Sequence, residues 1–288
     1  MSAKGHSKAT TSSGLPLDVV RLRDAYDVAL LKGLYDQLMV PSFGMFESEL
    51  EACETWEELL NPATRDSVRD EYDLHAVCLL DDSPEVASKP AVERIAAAVM
   101  CEYYPKSNCG LMTYIAVADS MRKHGLGRVL VSETLAALHQ SAQAAGKAGC
   151  AAVFLETNSD AVDAEKDVMV PAERRKVLHR LGFRILDCTY VQPALSAEQE
   201  KCTDLLLAVH NSFLGDTPVA ELPAATASAA AATAAGALTR KTLSSPLILA
   251  FMEEFFSVLM GAESLKTDAD FLAIQKELQP QKVVTAQD

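Results

Sequence analysis

The chain has 288 residues and a mass of 31.0 kDa, enough for one large domain or two modest ones at about 150 residues per domain. Hydrophobic residues make up 49%, which excludes wholesale disorder, and 26 basic against 40 acidic residues give −14, which excludes a coat for nucleic acid or an anionic membrane. The seven cysteines (Cys53, Cys78, Cys101, Cys109, Cys150, Cys188 and Cys202) are odd in number, scattered and without a C-x-x-C pair, so neither a disulfide framework nor a zinc site is expected.

In chain order, the run from Met1 to Leu17 is Ser/Thr-rich, carries Lys4 and Lys8, and has no acid before Asp18. It lacks an apolar signal core and reads as a disordered tail, with a transit peptide as the alternative and a cytoplasmic address as the default. Asp18 to Arg23 reads as a strand. Leu30, Leu31, Leu34 and Leu38 mark a helix over Tyr26–Met39 that Val40-Pro41 should end. A second helix is expected over Glu47–Leu60. Strands follow at Tyr72–Leu80, Ile95–Tyr104 and Leu111–Ala118, the last two joined as a hairpin by Lys106-Ser107-Asn108.

The longest helix is expected from Gly125 to about Ala145, on the stripe Leu126, Leu130, Val131, Leu135 and Leu138. Ala151–Glu156 is a short apolar run, as for a strand covered on both faces. An acidic loop over Asn158–Val170 leads to a helix from Pro171 to near Gly182, then strands at Phe183–Val191 and Asp204–His210. Alternating strands and helices of this kind define an α/β (α+β) domain over residues 18–210. Ten of the fourteen residues from Ala224 to Ala237 are alanine, and residues 211–245 read as a linker. Ser245 and Pro246 then open an amphipathic helix with Ile248, Phe251, Met252, Phe255, Phe256 and Leu259. A shorter helix over Ala269–Leu278 completes a helical extension, residues 246–279. It should cover the main domain, or a second subunit in a homodimer. No segment has the roughly 20 apolar residues of a membrane span, since Glu253 and Glu254 interrupt Leu247–Met260.

Chemistry concentrates in Ile115–Arg128, where a buried strand and a short turn lead to R-x-x-G-x-G at the start of the long helix. The first four N–H groups of a helix have no intrahelical partner, and the aligned peptide dipoles place about half a positive charge there. Gly125 and Gly127 remove the Cβ atoms that would keep a phosphate from those donors, and Arg122, Lys123 and Arg128 add local positive charge. The bland alternative is a tight turn bearing solvated cations. A dinucleotide loop would need G-x-G-x-x-G and an ATP loop G-x-x-x-x-G-K-S/T; neither is present.

The segment resembles the pyrophosphate loop of the GNAT superfamily of acetyl-CoA-dependent N-acetyltransferases, which carries Gln/Arg-x-x-Gly-x-Gly/Ala after the fourth strand. Leu181-Gly182-Phe183 is similar to the L-G-F that ends that family's later helix, and Ala151–Thr157 followed by Asn158 to its fifth strand. The resemblance spans about Asp18 to His210. It implies a mixed, mostly antiparallel central sheet flanked by helices, with acetyl-CoA as co-substrate and an amine as acceptor. It further implies that Ile115, Ala116 and Val117 align pantetheine, that Arg122, Lys123, His124, Gly125, Leu126, Gly127 and Arg128 hold the diphosphate, and that Asn158 adds a contact. The Ile115 N–H would stabilise the oxyanion as the amine attacks.

Two positions depart from the family. Leu178 stands where the tyrosine acid is common, and Leu111 where some members carry a glutamate. Substitutes are Glu156 at the end of the fifth strand, Glu102 beside Tyr103 and Tyr104, and Tyr190 as acid. Each also has a structural reading, as a strand-end carboxylate or a core tyrosine. The histidines form no H-x-x-x-H pair, so no metal is expected. Two functions remain open: direct acetyl transfer to an amine, and a catalytically silent CoA-binding module. The C-terminal helices could also serve as an interaction arm.

Overall fold

The computed structural model describes residues 5–44, 50–68, 71–162, 168–194, 200–218, 222 and 239–287. It has the expected α/β class, with a mostly antiparallel sheet flanked by helices. The chain divides into two compact units, residues 1–150 with 165–168, and residues 151–164 with 169–288. The division at Cys150/Ala151 falls inside the single domain expected over 18–210.

The first unit is built on an antiparallel sheet, β1 (His6–Thr10), β2 (Pro16–Arg21), β3 (Asp73–Asp81), β4 (Ile95–Tyr104) and β5 (Cys109–Val117), paired in that order. β3 and β4 are buried at nearly every position, which requires cover on both faces. Helices α1 (Val28–Leu34), α3 (Cys53–Leu60) and the long α5 (Leu126–Ala144) supply it, with the short α2 (Val40–Phe43) and α4 (Arg65–Val68) following α1 and α3 in the chain. Asp27 caps α1 by accepting from the N–H groups of Ala29 and Leu30, and Leu30, Leu31 and Leu34 are buried as their spacing implies. α5 packs close to β5 at Gly110, where a Cβ would lie 2.4 Å from Leu138 Cδ1.

Three expectations for this unit fail. The N-terminal tail holds β1, which runs antiparallel to β2 with His6 opposite Val20 and Thr10 opposite Pro16. Its side chains are mostly exposed, so no apolar alternation announces it; backbone pairing and the 2.8 Å Lys8–Asp82 ion pair hold it. The first helix does not end at Val40-Pro41. A π-helical turn over Tyr35–Met39, in which the Val40 N–H reaches the Tyr35 carbonyl, carries the chain into α2 with Pro41 in its first turn. The second helix begins at Cys53; residues 47–49 of its expected span lie outside the described residues.

The second unit contains β6 (Ala152–Asn158), α6 (Pro171–Arg180), β7 (Phe183–Ile185), β8 (Leu205–His210), β9 (Gly215–Pro218), β10 (Thr239–Ser244), α7 (Ser245–Met260), α8 (Ala262–Leu265), α9 (Ala269–Leu278) and β11 (Val283–Thr285). β8 enters between β6 and β7, antiparallel to both. Gly182, with φ 98°, turns α6 into β7, and its carbonyl accepts from the Asn211 N–H at 2.8 Å. β9, β10 and β11 form a separate antiparallel sheet.

The expected linker is therefore strand at both ends, with Thr217 and Thr242 hydroxyls 2.7 Å apart across β9 and β10; its alanine-rich part lies outside the described residues. The helical extension is no appendage. Phe251 stacks on Phe154 of β6 at 4.3 Å between ring centroids, and Phe256 meets Tyr190 and Phe271 at 5.9 Å each, within one core. The strand expected over Phe183–Val191 stops at Ile185. Tyr190 lies beyond it, between single bridges at Leu186–Ala286 and Gln192–Cys202.

Candidate functional site

β5 delivers the candidate loop. Between Met100 and Cys101 its register with β4 slips, so that Met112 faces Cys101, Tyr114 faces Met100, and Thr113 is the extra residue. The Thr113 hydroxyl donates to the Met100 carbonyl at 3.2 Å, closing this bulge. Bulges bend a strand and re-aim its next residues; here those are Ile115, Ala116 and Val117, paired with Val99, Ala98 and Ala97.

After Val117 a single turn, Asp119–Met121, leads to Arg122, whose guanidinium pairs with Asp119 at 2.7 Å. Lys123 has φ 70° and Gly125 φ 82°, so the chain takes two left-handed steps before α5 begins at Leu126. For lysine such a step costs about 1–2 kcal/mol; for glycine it is free. Leu126 is buried and anchors the helix start, while Arg122, Lys123, His124 and Arg128 are exposed. The Arg128 N–H turns back to the Gly125 carbonyl at 3.1 Å. Helix geometry leaves the N–H groups of Leu126 and Gly127 without intrahelical partners, and with the three cations beside them they fit a diphosphate.

The β1–β2 turn lies against this loop, a contact with no local signal in the sequence. Ser13 Oγ donates to the His124 carbonyl at 3.1 Å, and a Cβ on Gly125 would stand 3.2 Å from Ser12 Oγ. The turn is itself fixed by Gly14 at φ 86° and by Thr11 Oγ1, which accepts from the Leu15 N–H at 3.1 Å.

In the same unit Glu102 is buried on β4 and accepts from the Tyr104 hydroxyl. It sits three residues along the strand from Val99, the partner of Ile115, or about 10 Å at 3.3 Å per residue.

A second cluster belongs to the other unit. Tyr190 donates to Glu156 Oε1 at 2.5 Å, and Gln192 Nε2 reaches both Glu156 oxygens at 2.9 Å. Sequence reasoning misses Gln192, whose place two residues after Tyr190 is its only trace there. Burial, then the Glu156 charge, push the Tyr190 phenol well above its usual pKa, which keeps its proton in place. Asn158 is buried, and its carbonyl accepts from Arg175, which grips Asp160 through both carboxylate oxygens at 2.6 and 2.7 Å. Leu111 and Leu178, where family side chains are absent, are both core residues. Among the described residues no cluster of His, Cys, Asp and Glu could hold a metal ion, and no helix is long and apolar enough to cross a membrane.

Comparison with known proteins gives one sequence match and several likenesses of structure. Residues 43–166 match the model described as the acetyltransferase (GNAT) family. No curated protein sequence matches. A protein described as a GNAT-family acetyltransferase from Bacteroides thetaiotaomicron is 17% identical, over 65% of this chain and 82% of its own, with a TM-score of 0.42. Another from Desulfovibrio desulfuricans is 19% identical over 67% and 97%, at 0.41. A spermidine N-acetyltransferase variant from Vibrio cholerae is 11% identical over 68% and 95%, also at 0.41. It is the sequence match that assigns the family: residues 43–166 of this chain are an acetyltransferase (GNAT) family domain.

Proposed function

We propose that the protein transfers the acetyl group of acetyl-CoA directly to an amine. The observation that carries this reading is the left-handed Gly125 at the mouth of α5, with Arg122, Lys123 and Arg128 within three residues of it in the family-matched stretch. A side chain at Gly125 would meet the Ser12 hydroxyl and would be strained at φ 82°, so glycine keeps a Cβ away from the helix mouth.

When bound, acetyl-CoA supplies a thioester carbonyl as the electrophile. The N–H groups of Leu126 and Gly127, with Arg122, Lys123, His124 and Arg128, hold the diphosphate. The backbone of Ile115, Ala116 and Val117 aligns the pantetheine amides, and the Ile115 N–H donates to the carbonyl oxygen as charge develops on it. Glu156 is our candidate for the proton acceptor. Tyr190 and Gln192 hold that carboxylate in one orientation, and Tyr190 is better suited to this than to giving up its own proton. Asn158 is assigned to coenzyme contact by its match to the family alone.

The leucines at positions 111 and 178 favour a second reading, a CoA-binding module without catalysis. Thermal shift with acetyl-CoA, followed by thiol release across a panel of amines, separates the two. Transfer predicts amine-dependent release that Glu156→Gln lowers about a hundredfold, most at low pH where the amine is protonated. Binding with no release across the panel leaves the silent module. Gly125→Glu should abolish CoA binding with circular dichroism unchanged; full affinity in that variant ends both readings.

A further inference from the structure

An aromatic and acidic cluster lies one residue from Ile115, and the coenzyme loop does not use it. The Tyr114 ring meets Trp56 at 5.3 Å and Phe43 at 5.1 Å, and Trp56 meets Tyr35 at 5.4 Å. Glu51 is pinned in this group from three sides. Trp56 Nε1 donates to Glu51 Oε2 at 2.8 Å, the Tyr35 hydroxyl donates to the Glu51 carbonyl at 3.0 Å, and the Glu51 N–H donates to the Tyr114 hydroxyl at 3.4 Å.

The indole takes one carboxylate oxygen. Among the described residues no ion pair engages the other; Lys32, on α1, is paired with Glu57 at 3.2 Å. Glu51, Tyr35 and Phe43 are half-buried, whereas Trp56 is wholly enclosed. A carboxylate fixed by a buried indole, partly open, and lined by aromatic rings suits an ammonium, which gains a charge-assisted hydrogen bond and attraction to the ring faces.

We infer that Glu51, with Phe43 and Tyr114, selects acceptors that carry a second cationic nitrogen, diamines and polyamines being the simplest. The reacting nitrogen must be neutral to attack, so the group held by Glu51 is the other, still protonated one. The Tyr114 hydroxyl, bonded to the Glu51 N–H, ties Glu51 to the strand that carries Ile115. The inference rests on the transfer reading above and adds the class of acceptor.

The test compares 1,4-diaminobutane with butylamine as acceptors for the full chain. The diamine should show a kcat/KM at least tenfold higher, carried by KM, as expected for one hydrogen bond between charged groups. Glu51→Gln should raise KM for the diamine about tenfold with kcat within twofold, and Glu51→Asp should keep most of the preference. Equal use of both amines by the wild type, or an equal rise in KM for both in Glu51→Gln, overturns the inference while transfer stands. If no amine is acetylated, the transfer reading fails separately. Calorimetric titration of 1,4-diaminobutane into the acetyl-CoA-loaded protein then decides the site: binding that Glu51→Gln abolishes upholds it, and no binding overturns it.

Discussion

Tyr190 donates to Glu156 at 2.5 Å, and Gln192 donates to both oxygens of the same carboxylate. The phenol therefore ionises only far above its usual value of 10.0, for burial first and the Glu156 charge second. An unfolded chain releases that proton near pH 10, while the folded one retains it. The stability linked to this group is complete below pH 10 and falls as pH climbs toward the folded value. Tyr190→Phe should lose about 1–3 kcal/mol at pH 7 and show a shallower alkaline decline, read by urea denaturation.

His75 makes the opposite prediction. It is buried on β3 with its Nε2 2.8 Å from Ser141 Oγ on α5, and burial, aided by Arg23, Arg21 and Arg65, lowers its pKa from 6.5 to about 3. The folded protein keeps the ring neutral while the unfolded chain takes up a proton. Stability is therefore full above pH 6.5 and is lost as pH falls toward 3, with a ceiling of about 4–5 kcal/mol at 1.36 kcal/mol per unit. His75→Gln should flatten the decline between pH 7 and pH 4. An unchanged acid limb in that variant would show that other groups govern it.

Phe251 lies between Phe154 of β6 and Phe255 of its own helix, with no exposure. Phe251→Ala should cost the second unit about 3–5 kcal/mol. Hydrogen exchange at the β6 amides is the direct measure, and protection there should fall by two or more orders of magnitude.

Gly182 carries two separate constraints. Its φ of 98° is strained for any side chain, and a Cβ would stand 2.7 Å from His210 Nε2. Gly182→Ala should cost about 1–3 kcal/mol. In a His210→Ala background the cost should shrink without vanishing, because the backbone strain survives the removal of the ring. Full additivity in thermal denaturation would mean that the ring contact contributes nothing.

The sequence reveals elements whose side chains segregate and hides those whose side chains do not. α5 is legible because Leu126, Leu130 and Leu138 are buried at helical spacing, and the β4–β5 hairpin because Asn108 tolerates the left-handed φ of 59° that its turn requires. β1 is not legible, since its residues face solvent and its stability comes from a backbone partner that only the fold supplies. β9, with no buried residue, shares that character. Pro41 misleads because a π-helical turn ahead of it absorbs the missing donor. At the candidate site, the glycines and cations of the loop are a local signal. The Glu51–Tyr114 bond and the approach of Ser12 to Gly125 join residues from distant parts of the chain, and no spacing rule reports them.

The insertion of β8 between β6 and β7 sets a timetable for the growing polypeptide. Phe183 of β7 cannot find His210, nor Asn158 find Leu205, until the later strand has left the ribosome. Phe251 and β11 arrive later still. Long-range closure of this kind slows folding and keeps apolar surface waiting in the nascent chain. β6 and β7 therefore wait exposed for β8 during synthesis, while the hairpin of β4 and β5 can form as soon as it emerges.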